Sequence, residues 1–322
     1  MPEFTRKKIL TGAAVLALLL LFPVFVTEQP FPLHVMILFF MFAMMGVAWN
    51  IMGGYAGMFS FGQVAFFGIG AYSSTFLLMT CQVNPWIGLL IGGAVAALVG
   101  AAIGYPCSNL RGHYFAIASI AFGEIVRTHF NNWKLVGAAE GLSLPMLNES
   151  LKNFMFHSSK LPYYYIIFVF LLFSVLVCYF VSASKMGYYF RAIKESHDVA
   201  RVLGINVVWY RLIAIMISAF LTAMAGTFYA QYVLYIDPDS VMILPISVQI
   251  VLISMLGGAG AEMGPVIGAA ILVPVSEITR VMLGHKGTGI DMMIYGALIT
   301  IISVYQPKGV WGLFSGIGKR VK

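Results

Sequence analysis

Two Glu–Arg pairs stand inside otherwise apolar stretches of the chain. Glu124 and Arg127 are three residues apart, and Glu277 and Arg280 repeat that spacing. Residues at i and i+3 share one face of a helix, so each pair can neutralise itself. Charged groups at membrane depth are costly and often functional. Three roles stay open: ion pairs that face a helix bundle, parts of an outer gate or of a partner docking site, or proton coupling.

The sequence offers little for covalent or metal chemistry. Its six His residues show neither HExxH nor an i,i+4 metal spacing, and Cys81, Cys107 and Cys178 form no CxxC motif. Neither a GxSxG nor a GxxxxGK[ST] motif occurs. We therefore predict no catalytic residue, no metal site and no cofactor in this chain, and small buried cysteines.

Composition places these residues in a membrane protein. Hydrophobic residues make up 60% of the 322 residues, charged residues only 10%, and the mean hydropathy is +0.91. A soluble domain carries charge on about a quarter of its residues. The net charge of +7 fits basic cytoplasmic loops better than nucleic-acid binding. Soluble enzymes, disordered chains and disulfide-rich secreted modules are excluded.

Apolar runs of about 20 residues, the length that spans a bilayer, predict ten helices. They cover 9–27, 33–52, 61–80, 86–105, 114–130, 162–182, 212–235, 241–256, 265–283 and 290–305. Most of the 19 Lys and Arg residues then lie on one side, which predicts that both termini are cytoplasmic. The first run has no cleavage-like site after it and is interpreted as an uncleaved helix. The sequence thus predicts an all-α polytopic membrane bundle of about ten transmembrane helices, as one domain over 1–322.

Glycines cluster twice on the predicted inner side, at 53–70 and at 257–268. Glycine permits close helix contact, and broken helices at matching positions in two halves point to a transport site. Polar residues beside the clusters are candidates for a translocation path: Asn50, Tyr55, Ser60, Gln63, Gln249 and Ser254. The alternatives are helix packing for the glycines and interhelical hydrogen bonds for the polar residues.

Residues 183–211 form the longest predicted inner segment. Within it, 192–204 has a charged face and a partly apolar face, which predicts a short amphipathic helix that Gly204 ends. The apolar face consists of Ile193, Val199, Ala200, Val202 and Leu203. Such a helix can dock into the groove of a partner, or it can simply rest on lipid.

This segment resembles the coupling loop of ABC importer permeases, whose signature is EAA, three residues, then Gly. Asp198-Val199-Ala200 and Gly204 keep that register, with Asp for Glu and Val for the first Ala. Longer blocks resemble branched-chain amino acid permeases of the LivM type, in the expected order: 49–72, 110–127, 224–230, 256–271 and 295–313. After the fifth predicted helix the family usually has Thr-Gly-Gly-x-x-Gly, whereas this chain has Val136-Gly137-Ala138-Ala139-Glu140-Gly141.

The resemblance implies a permease subunit with the ABC importer permease architecture, and not an enzyme. The residues expected to contact the ATPase are Arg191, Ala192, Lys194, Glu195, Asp198, Ala200, Arg201 and Gly204. The expected partners are a second, LivH-like permease, two cytoplasmic ATP-binding subunits that carry ATP and Mg, a periplasmic binding protein, and the lipid bilayer of a bacterial inner membrane.

The cargo expected from the resemblance is a branched-chain or related amino acid. Urea, short amides and aromatic acids are alternatives within the family. A stand-alone secondary transporter or channel is the competing class, and a polytopic enzyme is disfavoured by the missing catalytic motifs.

Overall fold

A computed structural model of the chain shows an architecture built almost wholly from α-helices. It describes residues 18–23, 30–108, 110, 112–146, 148–283, 296 and 309–312. The helices are α1 Pro30–Trp49, α2 Gln63–Cys81, α3 Pro85–Cys107, α4 His113–Asn132, α5 Leu161–Ala183, α6 Lys185–Glu195, α7 His197–Val202, α8 Val207–Val233, α9 Pro238–Val241, α10 Leu244–Gly257 and α11 Gly264–Leu283.

Short irregular elements complete the chain at both ends of the bundle. A π-turn, Asn50–Tyr55, continues α1. Two 3₁₀ turns, Lys134–Val136 and Ala138–Glu140, follow α4. The strands β1 Leu142–Ser143 and β2 Tyr235–Ile236 pair antiparallel and join the α4–α5 connection to the end of α8.

Seven of the described helical segments are long and apolar enough to cross a membrane. They match seven of the ten predicted spans, from 33–52 to 265–283, with ends that differ by a few residues. The predicted span 114–130 does form a helix, α4, but it is less apolar because it carries Glu124, Arg127 and other polar residues. The predicted spans 9–27 and 290–305 lie largely outside the described residues, so the number ten stays a prediction.

Helices α1 and α8 lie at the centre of the bundle. α1 packs against α5, α10 and α11, α8 packs against α2 and α3, and the two central helices contact each other. Almost every side chain of α1 from Ile37 onward is buried. A helix that is apolar on all sides is suited to such an enclosed position. α4 lies nearer the edge, where one of its faces packs mainly on α2.

Helices α2 and α8 approach each other backbone to backbone. A Cβ atom at Gly70 would collide with the carbonyl of Ala223, and one at Gly226 would collide with the carbonyl of Phe67. The Thr227 hydroxyl donates to the Gly70 carbonyl across the same contact (3.1 Å). Small residues and polar side chains hold helices together in lipid, where no hydrophobic force acts between them. At Gly70, the structure therefore favours the packing interpretation of the first glycine cluster.

The predicted single helix over 192–204 is wrong, because two helices meet there. Ser196 interrupts the helix between α6 and α7 because its backbone is extended (φ −160°). It is the N-cap of α7, and its hydroxyl accepts a hydrogen bond from the Val199 N–H. Serine favours such caps over helix interiors because its side chain competes for backbone donors. The predicted stop at Gly204 is confirmed, since Gly204 has a left-handed φ of +80° just after α7.

Candidate functional site

The candidate path residues lie mostly where the chain leaves α1 and enters α2, and most of them form hydrogen bonds inside the protein. Asn50, Tyr55, Ser60, Gln63 and Ser254 are buried, and Gln249 is half-buried. Gln63 donates to the Ser218 hydroxyl of α8 (2.7 Å), and Ser254 donates to the Gly46 carbonyl of α1 (3.1 Å). These contacts are interhelical hydrogen bonds, the alternative that the sequence left open. A direct role in a path stays a prediction.

Asn50 joins the two glycine clusters. Its Nδ2 donates to the Ala261 carbonyl (2.9 Å), and its Oδ1 accepts from the Gly260 N–H (2.7 Å). A Cβ atom at Gly54 would collide with Asn50 Oδ1 and crowd the Gly260 nitrogen. Two clusters 200 residues apart in sequence therefore form one junction, made of the π-turn and the 258–263 loop between α10 and α11. We call it the inner junction, and the end of the bundle that carries it, with α6 and α7, the inner end.

Helix α6 is attached to the inner junction by Lys194. Its ammonium group donates to the Gly54 carbonyl (2.8 Å), and its stem lies against Gly57, whose φ is +70°. Arg191, one turn earlier, donates instead to the hydroxyl and the carbonyl of Ser182 at the end of α5 (2.6 and 2.9 Å). Both basic residues were predicted to contact a partner, and both also fix α6 to the bundle.

Helices α6 and α7 present a mixed charged and apolar surface. Most of the predicted contact residues are exposed there: Arg191, Lys194, Glu195, Asp198, Arg201 and Gly204. Ala192 is half-buried, and Ala200 is buried against Ile193 and Val207. Sequence reasoning put Val199, Val202 and Leu203 on the apolar face, yet their exposed fractions are 58%, 87% and 71%. Clustered exposed apolar side chains indicate an interaction surface.

One face of α4 has no cover from the described residues. A shallow groove of about 600 Å³ runs along it, lined by Ala121, Glu124, Ile125, Thr128, His129 and Asn132. The opposite face, with Phe115, Phe122 and Val126, is buried. Polar and charged groups are costly against hydrocarbon, so the uncovered face suits water or another protein chain better than lipid. We call it the α4 open face.

Both predicted Glu–Arg ion pairs form, in different surroundings. On α4, Arg127 binds Glu124 (2.5 Å) and also Asp239 of α9 (2.6 Å), and all three side chains are partly exposed. On α11, Arg280 binds Glu277 (3.0 Å), whose side chain is only 8% exposed. Asp239 lies 112 residues from Arg127, and no spacing in the sequence signals their contact. The proposed roles of both pairs in a gate stay predictions.

Arg211 was assigned to the predicted inner loop 183–211, but it lies inside α8 and is buried. Its guanidinium group donates to the carbonyls of Ser108 and Leu110 (3.0 Å for Leu110), in the connection between α3 and α4. It also lies over the Phe115 ring, 5.4 Å from the ring centroid. Sequence reasoning missed this residue, because a basic residue beside a predicted loop is normally solvated.

Glu149 organises the outer segment between α4 and α5. Its carboxylate accepts hydrogen bonds from the His157 N–H (2.6 Å) and from the backbone and hydroxyl of Ser158. These bonds, those of Ser158 first, lower the pKa of the Glu149 carboxyl. Over the described ranges, no group of three His, Cys, Asp or Glu side chains lies close enough to hold a metal ion.

The fold and these contacts define a polytopic α-helical membrane protein. Comparison with known families narrows the class: residues 31–303 match the family model of the branched-chain amino acid transport system / permease component. The chain belongs to this family, and the resemblance seen in its sequence is confirmed.

Individual relatives agree with the family. The permease protein LivM of the high-affinity branched-chain amino acid transport system of Salmonella typhimurium is 27% identical over 291 residues, which cover 84% of this chain and 67% of LivM. LivH of the same organism is 23% identical over 289 residues, 84% of this chain and 91% of LivH. A chain of PsaBC from Streptococcus pneumoniae in complex with Fab has a similar fold, with a TM-score of 0.50 and 12% sequence identity. The match covers 90% of this chain and 97% of the PsaBC chain.

Proposed function

We propose that this chain is the permease subunit of an ATP-driven importer that moves branched-chain amino acids across a bacterial inner membrane. Family membership and the similarity to LivM support this cargo. Similarity to both LivM and LivH supports pairing with a second, homologous permease. A periplasmic binding protein delivers the solute, and two cytoplasmic ATP-binding subunits hold ATP and Mg²⁺. Both termini are cytoplasmic, and the chain does no covalent chemistry itself.

The observation that carries the proposal is the surface of α6 and α7. The exposed side chains of Val199, Val202 and Leu203 offer an apolar contact for the groove of a partner. Glu195, Asp198 and Arg201 surround them and can set the orientation of that partner. Lys194 and Arg191 hold this surface on the bundle, so a force applied to it reaches the helices.

The mechanism follows from linkage between nucleotide binding and two states of the permease. Closure of the ATP-binding subunits around ATP favours the permease state that fits the closed pair, and hydrolysis releases it. The ATP-binding subunits can shift the equilibrium between the two permease states only by as much as their affinities for the two states differ. The α4 open face, with polar and apolar side chains in one groove, is our candidate for a wall of the solute path beside the second permease.

Co-purification tests the proposal most directly. The chain is expressed with its neighbouring genes, extracted in detergent and assayed for a bound ATP-binding subunit. Wild type and Gly204→Asn are expected to retain it in stoichiometric amount, because Asn tolerates the left-handed backbone of Gly204. Gly204→Arg should lose it, because a long charged side chain is added beside α7. A chain that purifies alone and still moves solute in liposomes would establish the stand-alone transporter instead.

Uptake by the reconstituted complex then tests the cargo. Leucine, isoleucine and valine are compared with urea, acetamide and benzoate, each with and without ATP. ATP-dependent uptake confined to the three amino acids is the expected result. ATP-dependent uptake of urea, acetamide or benzoate instead would keep the importer and replace its cargo.

A further inference from the structure

The inner junction connects three segments that are far apart in sequence. Helix α1 loosens into a π-turn at Asn50, and the chain then stays irregular until α2 begins at Gln63. π-turns inside helices often mark functional sites. The 258–263 loop, which separates α10 from α11, lies against this turn, and the last turn of α6 lies beside it.

Asn50 binds the 258–263 loop through both halves of its amide. The amide is buried, donates to the Ala261 carbonyl and accepts from the Gly260 N–H. The amide supplies a donor on one atom and an acceptor on another, so one Asn side chain binds both backbone groups. The position of the loop is therefore fixed by the π-turn.

Lys194 fixes α6 to the same turn. Its ammonium group donates to the Gly54 carbonyl at 2.8 Å. It also lies 3.7 Å from where a Cβ atom of Gly260 would stand. A hydrogen bond from a charged donor is stronger than one from a neutral donor. The end of α6 is thus bonded to the π-turn, and the π-turn is bonded through Asn50 to the loop that joins α10 and α11.

Arg191 provides an internal comparison. It is also basic and exposed, it lies on α6, and it donates to a backbone carbonyl. Its acceptor is Ser182 at the end of α5, however, and not the π-turn. The two residues therefore resemble each other in chemistry and differ in the segment that they hold.

We propose that Lys194, the Gly54 carbonyl and Asn50 form a latch that couples α6 to the 258–263 loop, and that nucleotide-driven movement of α6 reaches α10 and α11 through this latch. The inference rests on the proposed function, because it requires α6 to move with a bound ATP-binding subunit. Lys194 and Asn50 are positioning residues here, since they act through the backbone that they hold.

Hydrogen exchange on the assembled, detergent-extracted complex tests the latch, with Mg²⁺ and ATP plus vanadate as the probe. In wild type, nucleotide is expected to change exchange both in α6–α7 and in the 258–263 loop. Lys194→Met keeps the stem and removes the donor. In this variant, nucleotide should still change exchange in α6–α7, but the change in exchange of the 258–263 loop should be about tenfold smaller. A tenfold effect lies in the upper part of the range seen for residues that carry coupling. Lys194→Arg should restore the response of the loop, and Arg191→Met should leave it unchanged.

Several outcomes would overturn the latch. One is a Lys194→Met complex with the wild-type response in the 258–263 loop, and another is an equal loss in Arg191→Met. A Lys194→Met chain that fails to assemble would assign Lys194 to folding and would also contradict the proposal. If nucleotide does not change hydrogen exchange in the wild-type α6–α7 segment, the proposed function fails together with the latch. If the wild-type α6–α7 segment responds and only the 258–263 loop does not, the latch alone fails.

Discussion

At the residue scale, the two Glu–Arg pairs have the same spacing in sequence but different surroundings in the structure. Glu124 and Arg127 lie beside the α4 open face and share Asp239, whereas Glu277 is turned toward the bundle. The sequence predicts each pair from its i,i+3 spacing. It does not predict the third partner or the difference in exposure, because both depend on which helix packs alongside.

Glu124→Gln is expected to lower ATP-dependent uptake several-fold while changing stability little. The side chain of Glu124 is about half exposed, and exposed ion pairs stabilise by only about 0–1 kcal/mol. Its charge, however, borders the proposed solute path. Uptake and thermal unfolding of the complex are measured together. Glu140→Gln, at an exposed carboxylate outside the α4 open face, is the control and should leave uptake within about twofold. Uptake that loses its dependence on a proton gradient in Glu124→Gln would instead assign proton coupling to this residue.

Arg211→Met should be among the most destabilising substitutions at the inner end. It removes a buried guanidinium and leaves the carbonyls of Ser108 and Leu110 without their donor, at a cost of about 2–4 kcal/mol. Thermal unfolding in detergent measures the loss. Lys185→Met, at an exposed position of α6, should change stability by less than about 0.5 kcal/mol. Equal unfolding temperatures for the two variants would contradict a structural role for Arg211.

At the element scale, the sequence predicts helices well and their interruptions poorly. Seven apolar runs became seven helices that are long and apolar enough to span a membrane, because length and hydropathy are the main requirements for such a helix. The break at Ser196 and the π-turn at Asn50 depend on single capping and packing contacts, which hydropathy does not register. The candidate polar residues at the inner end were found from their isolation in apolar sequence. That isolation signals importance, but it does not show which backbone groups the side chains bind.

The contact between α2 and α8 gives a prediction that belongs to this scale. Gly226→Ala places a methyl group against the Phe67 carbonyl and should destabilise the protein by about 1–3 kcal/mol, as overpacking does. Gly123→Ala is the matched control, because its Cβ atom would stand 3.8 Å from Val64. Alanine there should be neutral or stabilise by up to about 1 kcal/mol. The thermal unfolding temperatures of both variants test this prediction. Equal destabilisation by the two substitutions would contradict a tight backbone contact between α2 and α8 at Gly226.

At the scale of the whole molecule, the bundle has two kinds of surface. The exposed residues of α5, such as Val169 and Leu176, are apolar and suit lipid. The α4 open face combines the polar Glu124 and Thr128 with the apolar Ile125, so it does not suit lipid. From this contrast we propose that the second permease and the solute path lie on the α4 side, which the hydropathy of the two helices does not show.

Thiol labelling separates the two surfaces. After the native cysteines are replaced by serine, Ile125→Cys in the assembled complex should react with a water-soluble maleimide, because water enters the path. Val169→Cys should react at least tenfold more slowly, since thiolate formation is disfavoured in lipid. Equal protection of both positions would place the α4 open face in a dry contact or in lipid, and would move the path elsewhere.

The π-turn at the end of α1 also constrains how the length of the chain can vary. A π-turn accommodates one more residue than the α-helical turn it replaces. Deleting one residue from 50–55 would replace the π-turn with an ordinary α-helical turn and remove the widened backbone that brings Asn50 and Gly54 to the 258–263 loop. The described part of the connection between α4 and α5 contains only short elements, such as the 3₁₀ turns and β1, so a change of length there alters no long helix. Among members of this family, insertions and deletions should therefore accumulate between α4 and α5 and be absent between 50 and 62.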